Sequence, residues 1–293
     1  MARRRLTGTP FGERRSARRG RGSDLASTRP YLPGDPVTTI DWYASARLSA
    51  ARGADEFVVR ELYREETPRV VIVVDRRPSM AFYGSDTPWL DKPAAVVAAA
   101  EAIVRSAAVA RAELGYAEAV GGRAHVLSPG AVAPRYVLDR VRRRRFDAPS
   151  TSLAHTLAEL VNRRAELPQG SFVFVLSDLF AEVPATTWMR TRAAGLDVVP
   201  VILQDPTWEQ SFPPVDGVLV PFTSPEGERA LVRFTAGEAA ARRRENEERL
   251  AVIVRRFRRL EFDPVVLGTA EPQAVDAAFL RWAERRRLHR RRR

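Results

Sequence analysis

Two acidic residues follow apolar runs in a way that could place both of them in one binding site. Asp75 directly follows Val70–Val74, and Asp178 stands just beyond the run Ser171–Leu176. Continuous runs of this kind predict strands that are buried on both faces, as in a parallel sheet. Because ligands of open α/β sheets bind beyond the carboxyl ends of the strands, we expect the two carboxylates at one edge of the sheet.

Two hydroxyl residues could complete a set of oxygen donors around these carboxylates. Ser79 lies shortly after Asp75, and Thr151 opens a predicted helix over residues 152–167. Carboxylate and hydroxyl oxygens suit a hard divalent cation such as Mg²⁺, so these residues indicate a candidate metal site. A structural alternative remains open, in which Asp75 and Asp178 cap the helices that follow them and Thr151 is an N-cap.

The remaining sequence alternates strand and helix patterns, with short turns between them. This alternation predicts an α/β fold with a doubly wound, mostly parallel sheet flanked by helices. Further strands are predicted at residues 116–120, 123–127, 196–203, 218–222, 229–234 and 263–267. Helices are predicted at residues 91–114, 135–145, 152–167, 186–194, 237–260 and 272–287.

The net charge of +12 comes from the two ends of the chain. Residues 1–22 and residues 281–293 each contain eight Arg and one Glu, so the ends together carry +14 and the rest carries −2. We expect both ends to be basic tails, the first of them flexible. Such tails could bind nucleic acid or an anionic membrane surface without sequence specificity.

Several classes of protein are disfavoured by what the sequence lacks. The chain has no Cys, which excludes disulfides and thiolate sites. It has neither a signal-peptide core nor an apolar run near the ~18–20 residues of a membrane span, so we expect a cytoplasmic protein. No nucleophile elbow, phosphate loop or zinc-binding His motif occurs. We therefore predict a binding or adaptor protein that is not an enzyme, with nucleic-acid binding through the Arg-rich tails as the alternative.

The residues at the predicted strand ends resemble the metal loops of a von Willebrand factor type A domain. That fold usually carries D-x-S-x-S after its first strand, a Thr on a later loop and an Asp after a further strand. The first strand and loop read VVIVVDRRPSM, and the matching positions are Asp75, Ser79, Thr151 and Asp178. The resemblance implies a site where Mg²⁺ completes its coordination with an acid of a partner.

An upstream segment resembles the signature of bacterial domain-of-unknown-function family 58, whose members join it to a type A domain. Residues 29–47 read RPYLPGDPVTTIDWYASAR, and the matching residues include Tyr31, Gly34, Asp35, Asp41, Trp42 and Arg47. The two resemblances together cover roughly residues 15–285. Family members usually occur beside MoxR-type AAA+ ATPases, so the resemblance implies such an ATPase as the partner.

The sequence departs from these patterns at two places. Thr38 and Thr39 stand where the family usually has arginine, and Arg77 replaces the first serine of the metal loop. A guanidinium ~5 Å from a divalent ion would be repelled by about 6 kcal/mol at an effective dielectric constant of about 20. Three alternatives stay open. Arg77 points to solvent and Mg²⁺ binds, Arg77 replaces the metal and pairs with Asp75 and Asp178, or the loop is inert. If Arg77 holds the site, it could contact an acid of the partner directly.

The signature residues have a structural interpretation as well. Trp42 and Ile40 are predicted core anchors, and Asp41 and Arg47 are predicted to form a structural ion pair. The predicted organisation is a basic tail (1–22), a signature segment packed on the sheet domain (23–68), a type A-like domain (69–280) and a basic tail (281–293).

Overall fold

The computed structural model describes residues 19–63, 67–82, 90–131, 133–143, 145–223 and 229–291. The chain divides into two compact units, one comprising Glu13–Thr67 and the other containing Pro68–Arg293. The first 18 residues of the predicted basic tail lie outside the described residues. The prediction that residues 23–68 pack on the sheet domain stays a prediction.

The elements follow the alternation that the sequence predicts. The strands are β1 (Arg19–Pro30), β2 (Val58–Tyr63), β3 (Arg69–Val74), β4 (Glu113–Val120), β5 (Arg123–Leu127), β6 (Phe172–Ser177), β7 (Asp197–Leu203), β8 (Val218–Thr223), β9 (Arg229–Phe234) and β10 (Val265–Leu267). The helices are α1 (Trp42–Arg52), α2 (Lys92–Val109), α3 (Pro134–Arg142), α4 (Ser152–Asn162), α5 (Ala185–Ala193), α6 (Ala236–Arg259) and α7 (Pro272–Arg291). Across the described ranges, no helix is both long and apolar enough to cross a membrane.

A six-stranded sheet forms the centre of the larger unit. Its order is β10–β7–β6–β3–β4–β5, and all adjacent strands run parallel except β4 and β5, which are antiparallel. Strand β3 is the switch point of the topology, since the chain continues from it to β4 on one side and later returns to β6 on the other. The crevice beyond the carboxyl ends of β3 and β6 is where such sheets bind ligands.

Alternate residues of β3 enter two different hydrophobic cores. Val70, Ile72 and Val74 pack in the core that includes side chains of α2, α3 and α7. Val71 and Val73 pack in the core that includes side chains of α4, α5 and α6. The β-branched run is therefore buried on both faces, which confirms the prediction of a mostly parallel sheet covered by helices on both sides.

Parts of both predicted tails are regular structure. Strand β1 begins at Arg19 and pairs antiparallel with β2, because long-range backbone hydrogen bonds stabilise a segment whose own pattern is aperiodic. Helix α7 continues to Arg291 rather than ending at Arg287. Arginine is a good helix former, and positive charge in the last turns suits the negative end of the helix dipole.

Arg76 fastens the loop after β3 to the neighbouring strand and to α3. Its Nε donates a hydrogen bond to Glu118 Oε2 at 2.7 Å, and both side chains are buried. Its two Nη atoms donate to the carbonyl oxygens of Arg140 and Arg143, at 2.7 and 2.6 Å. Because Arg76 directly follows Asp75, this clasp fixes the loop on which the candidate site is built.

We expect Arg76→Met to lower the free energy of unfolding by about 3–5 kcal/mol, because the buried Glu118 carboxylate loses a charged partner. Equilibrium urea unfolding measures the change. Arg145→Met is the matched control, because Arg145 pairs with Asp147 at the exposed surface. It should cost less than about 1 kcal/mol. Equal losses in the two variants would contradict the role assigned to the clasp.

Candidate functional site

The structure brings three of the four predicted oxygen donors together. Asp75, Ser79 and Asp178 are all buried beyond the ends of β3 and β6. Thr151 occupies the N-cap position of α4, but its side chain is exposed and forms no capping hydrogen bond. No hydrogen bond among the described residues joins Thr151 to the other three, so it is not part of this cluster.

Arg77 points into the site. Its Nε lies 2.9 and 2.8 Å from the two carboxylate oxygens of Asp75. Its Nη2 also bonds this carboxylate and lies 3.1 Å from Ser177 Oγ and 3.6 Å from Asp178 Oδ1. Arg77 is 3% exposed. Burial alone would lower the pKa of Arg77, but the hydrogen bond and charge of Asp75 outweigh burial and raise it.

A second buried cation lies on the other side of the Asp178 carboxylate. Lys92 Nζ is 3.1 Å from Asp178 Oδ2 and 2.6 Å from Glu209 Oε1. It also donates to the carbonyl oxygen of Ser79 at 3.1 Å. Lys92 is fully buried and is the only lysine of the chain. Asp178 therefore stands between two side-chain cations, Arg77 and Lys92.

The position of Lys92 in its helix is explained by these acids. Lys92 is the first residue of α2, where the positive end of the helix dipole disfavours a cation. Asp91 caps the same helix by accepting a hydrogen bond from the backbone N–H of Ala94 at 2.9 Å. The rings of Phe82 and Phe180 lie 5.6 and 5.0 Å from Nζ and add cation–π contacts.

Glu209 comes from the loop after β7, a third strand end that the sequence analysis did not assign. Asp205 shapes this loop by accepting hydrogen bonds from the backbone N–H groups of Leu90, Thr207 and Trp208, at 2.7, 2.8 and 2.8 Å. The backbone N–H of Asp205 in turn donates to Glu209 Oε2 at 2.7 Å. Two features of the sequence could have indicated this loop. One is Asp205, an acid that follows a third buried run, and the other is Lys92, the single lysine, at the start of a helix.

The turn after β6 holds a residue in the left-handed region. Leu179 has a φ of 56°, an uncommon conformation for a side chain of this size. In this turn the N–H of Leu179 donates to Ser177 Oγ at 2.9 Å, and the N–H of Phe180 donates to Asp178 Oδ1 at 3.1 Å. Ser177 Oγ donates to Asp75 Oδ2 at 2.7 Å. The turn thus orients both carboxylates toward the two cations.

The pKa values of the two acids that share Lys92 shift in opposite directions. Burial alone would raise the pKa of Asp178, but the charges of Lys92 and Arg77 lower it below its ordinary value. Burial raises the pKa of Glu209, and Lys92 offsets this only in part. Of the two acids that contact Lys92, Asp178 is therefore the one whose charged form the site favours more strongly.

The residues present do not fit a bound Mg²⁺. The oxygens of Asp75 and Asp178 face the guanidinium of Arg77 and the ammonium of Lys92, and a divalent ion between them would meet both positive charges. Within the described part of the chain, no group of three or more Asp, Glu, His or Cys side chains could hold a metal ion. Arg77 pairs with Asp75 and lies beside Asp178 rather than pointing to solvent, and Lys92 is a second cation at Asp178.

The signature turn of the smaller unit is held by a charged pair. Gly34 has a φ of 106°, which favours glycine. Asp35 accepts two hydrogen bonds from Arg29, at 2.6 and 2.7 Å, and one from the backbone N–H of Leu32 at 2.8 Å. The hydrogen bond from Arg29 lowers the pKa of Asp35 to about 2.

Two expectations for the signature segment are wrong. Asp41 caps α1 and pairs with Arg60 at 2.9 Å rather than with Arg47, because β2 brings Arg60 alongside the helix start. The guanidinium of Arg47 instead lies over the ring of Tyr43, at 5.8 Å. Trp42 is 59% exposed and is not a core anchor.

We expect Lys92→Met to lower the free energy of unfolding by about 3–5 kcal/mol, because Asp178 and Glu209 lose the ammonium that they share. Methionine keeps an apolar chain of similar length, so the loss reports the charge. Urea unfolding measures it. In the double variant Lys92→Met/Glu209→Gln, part of the loss should be recovered, since one uncompensated carboxylate is removed. Strictly additive effects would contradict the proposed contact.

Removing both side-chain cations should make the site respond to Mg²⁺. Arg77→Ser alone keeps the Lys92 ammonium, so its thermal midpoint should not rise with added Mg²⁺. Arg77→Ser/Lys92→Ala takes both cations away from the buried carboxylates, so a divalent ion becomes the available opposite charge. The thermal midpoint of this variant should therefore rise by several degrees in millimolar Mg²⁺. Adding Asp178→Asn should abolish that rise. A parent protein already stabilised by Mg²⁺ would contradict the assignment of the two cations.

Comparison with known proteins identifies a family. Among solved structures, the chain is similar to the conserved hypothetical protein BatB from Bacteroides thetaiotaomicron, with 14% identity over 74% of this chain and 99% of that one and a TM-score of 0.40. It is also similar to an aerotolerance-related membrane protein from Bacteroides fragilis, with 13% identity over 74% and 99% and a TM-score of 0.44. No curated protein matches the chain. The model of the family described as "Protein of unknown function DUF58" matches residues 27–252, and the chain therefore belongs to that family.

Proposed function

We propose that this chain is a non-enzymatic protein-interaction module, an adaptor of a MoxR-type AAA+ ATPase, with a von Willebrand factor type A-like domain whose metal site is degenerate. Family membership and a mostly parallel sheet between helices are the coarse features that the proposal extends. The observation that carries it is the strand-end site, where Arg77 and Lys92 are the cations that the carboxylates contact.

The strand-end site lacks the features of a catalytic centre. A nucleophile and its base must be reachable by substrate. Asp75, Lys92 and Asp178 are at most 1% exposed. The hydroxyl of Ser177 donates to Asp75, so this carboxylate already holds a neighbouring loop. Groups engaged in this way fix loops relative to one another, which suits a binding scaffold better than an enzyme.

The same geometry makes the proposed binding independent of Mg²⁺. In an intact type A site the metal bridges the domain to an acid of the partner. Here Arg77 is buried, and its Nε and Nη2 atoms already donate hydrogen bonds to Asp75 and Ser177. A partner acid therefore does not reach a cation at this position, and recognition falls to exposed surfaces of the protein.

We expect the purified chain to bind a MoxR-type AAA+ ATPase of its own organism with equal affinity in Mg²⁺ and in EDTA. The immobilised chain is titrated with nucleotide-free ATPase at physiological salt, so that the metal requirement of ATP binding does not enter. Asp75→Ala leaves Arg77 unpaired in the interior and should weaken binding by loosening the loops.

Two results would argue against the adaptor function. One is the absence of ATPase binding by a folded parent chain. The other is retention of nucleic acid alone at physiological salt, because binding through counterion release by the basic ends should disappear there.

A further inference from the structure

We propose that the Glu13–Thr67 unit carries a docking surface for a segment of a partner protein in which an acidic residue stands beside apolar residues. The surface, which we call the aromatic patch, consists of Trp42, Tyr43, Phe57 and Arg47. Trp42 contacts Phe57, Arg47 contacts Tyr43, and Trp42 and Tyr43 are adjacent at the start of α1. The inference rests on the proposed interaction function and assigns the contact with the partner to these residues.

The apolar side chains of the patch are strongly exposed to solvent. Their exposed fractions are 59% for Trp42, 74% for Tyr43 and 45% for Phe57. Leu32 and Val37 of the same unit are exposed as well. Over residues 28–60, where the side chains are described, only two hydrophobic side chains are buried, Val58 and Val59. Clustered apolar exposure of this kind marks interaction surfaces.

Two rings of the patch, Trp42 and Phe57, form one group with the neighbouring ring of Tyr31. Phe57 lies at the centre, with its ring 6.0 Å from Trp42 and 6.5 Å from Tyr31 in edge-on geometry. The backbone N–H of Tyr31 donates to the carbonyl oxygen of Phe57 at 2.8 Å, which fixes the two segments. Because the rings support one another before a partner arrives, little side-chain freedom is lost on binding.

Arg47 gives the patch its selectivity for charge. Of the four arginines in the described stretch 28–60, three pair with an acid: Arg29 with Asp35, Arg52 with Glu56, and Arg60 with Asp41. Arg47 forms no ion pair with any described residue and lies over the ring of Tyr43. Trp, Tyr and Arg are the residue types that dominate binding energy at protein interfaces, and a free guanidinium favours a carboxylate opposite.

The charge balance favours a protein partner over a lipid surface. Residues 28–60 contain four arginines and four acids, so this stretch is neutral. Attraction to anionic lipid grows with the number of excess basic residues near the surface. A neutral stretch in which Arg47 forms no ion pair with a described residue instead suits a segment that offers one carboxylate among apolar side chains.

A selection experiment tests the inference without knowledge of the partner. Random 12-residue peptides displayed on phage are selected on the full chain at physiological salt, and the affinity of synthetic copies is measured by fluorescence anisotropy. We expect the selected peptides to share Asp or Glu beside Leu, Phe or Trp. Trp42→Ala should weaken their binding about thirtyfold or more, the loss that truncation of an interface anchor produces.

Reversing the charge of Arg47 tests its role in recognising the acid of the peptide. Arg47→Glu should abolish binding of the acidic peptides and gain binding of the same peptides with Lys in place of the acid. Arg135→Glu and Tyr136→Ala are the matched controls, since they alter an exposed arginine and an exposed tyrosine on α3. They should leave both affinities unchanged, and every variant should keep the thermal midpoint of the parent.

Several outcomes would overturn the inference. These are selected peptides without acids, peptides insensitive to Trp42→Ala and Arg47→Glu, and a thermal midpoint that falls sharply in Trp42→Ala. Self-association lost in Trp42→Ala would identify a second copy as the occupant, and Trp42-dependent binding to phosphatidylglycerol vesicles would identify a membrane. If an ATPase binds the parent chain and Trp42→Ala with equal affinity, the result supports the adaptor function but contradicts the assignment of the contact to the aromatic patch.

If an ATPase binds neither chain while the peptides behave as expected, the result contradicts only the adaptor function.

Discussion

The carboxylate of Asp178, buried between two side-chain cations, is the contact on which the strand ends of this protein depend. A carboxylate taken out of water costs several kcal/mol unless charge and hydrogen bonds replace its hydration. Arg77, Lys92 and the N–H of Phe180 supply that replacement. They come from the loop after β3, from the start of α2 and from the turn after β6. Removing any one of them leaves charge uncompensated in the interior, so these segments must fold together.

The two cations carry the same total charge as one divalent ion but in a different physical form. The occupancy of a Mg²⁺ site depends on the Mg²⁺ concentration, and a bound Mg²⁺ keeps coordination positions that a ligand from the partner can fill. Arg77 and Lys92 are covalently part of the chain and direct their donors to Asp75, Asp178 and Glu209. The arrangement therefore keeps the loops in one state at any metal concentration, and it leaves no coordination position for an incoming acid.

A contact of the strand-end site could be predicted from the sequence where the residues that determine it are close together along the chain. The run Val70–Val74 and its acid are local, so the strand, its burial on both faces and the position of Asp75 could be predicted. The partners of Lys92 come from residues 86 and 117 positions away, and nothing near residue 92 specifies them. Only the disfavoured charge at a helix start hinted that distant acids must be present.

The pairing of Asp41 shows the same limit on a smaller scale. Arg47 is the nearer basic residue in sequence and lies six residues away in the same signature segment, and it is the partner that the sequence predicts. The register of β2 decides otherwise, because it sets Arg60 beside the start of α1. Strand register depends on hydrogen bonds between strands that are far apart in sequence. The pattern within a single segment therefore could not predict it.

The pairing of Arg60 with Asp41 also determines which charge remains available for recognition. A charge that is already paired and buried offers a partner nothing without first breaking its contact, whereas an exposed unpaired charge discriminates at once between partners of opposite and like sign. Arg77 and Lys92 belong to the first kind. Arg47 belongs to the second, because Asp41 is occupied by Arg60 and the guanidinium of Arg47 rests on the exposed ring of Tyr43. By this physical criterion, the strand-end site holds its loops together, and Arg47 is suited to select what binds to the smaller unit.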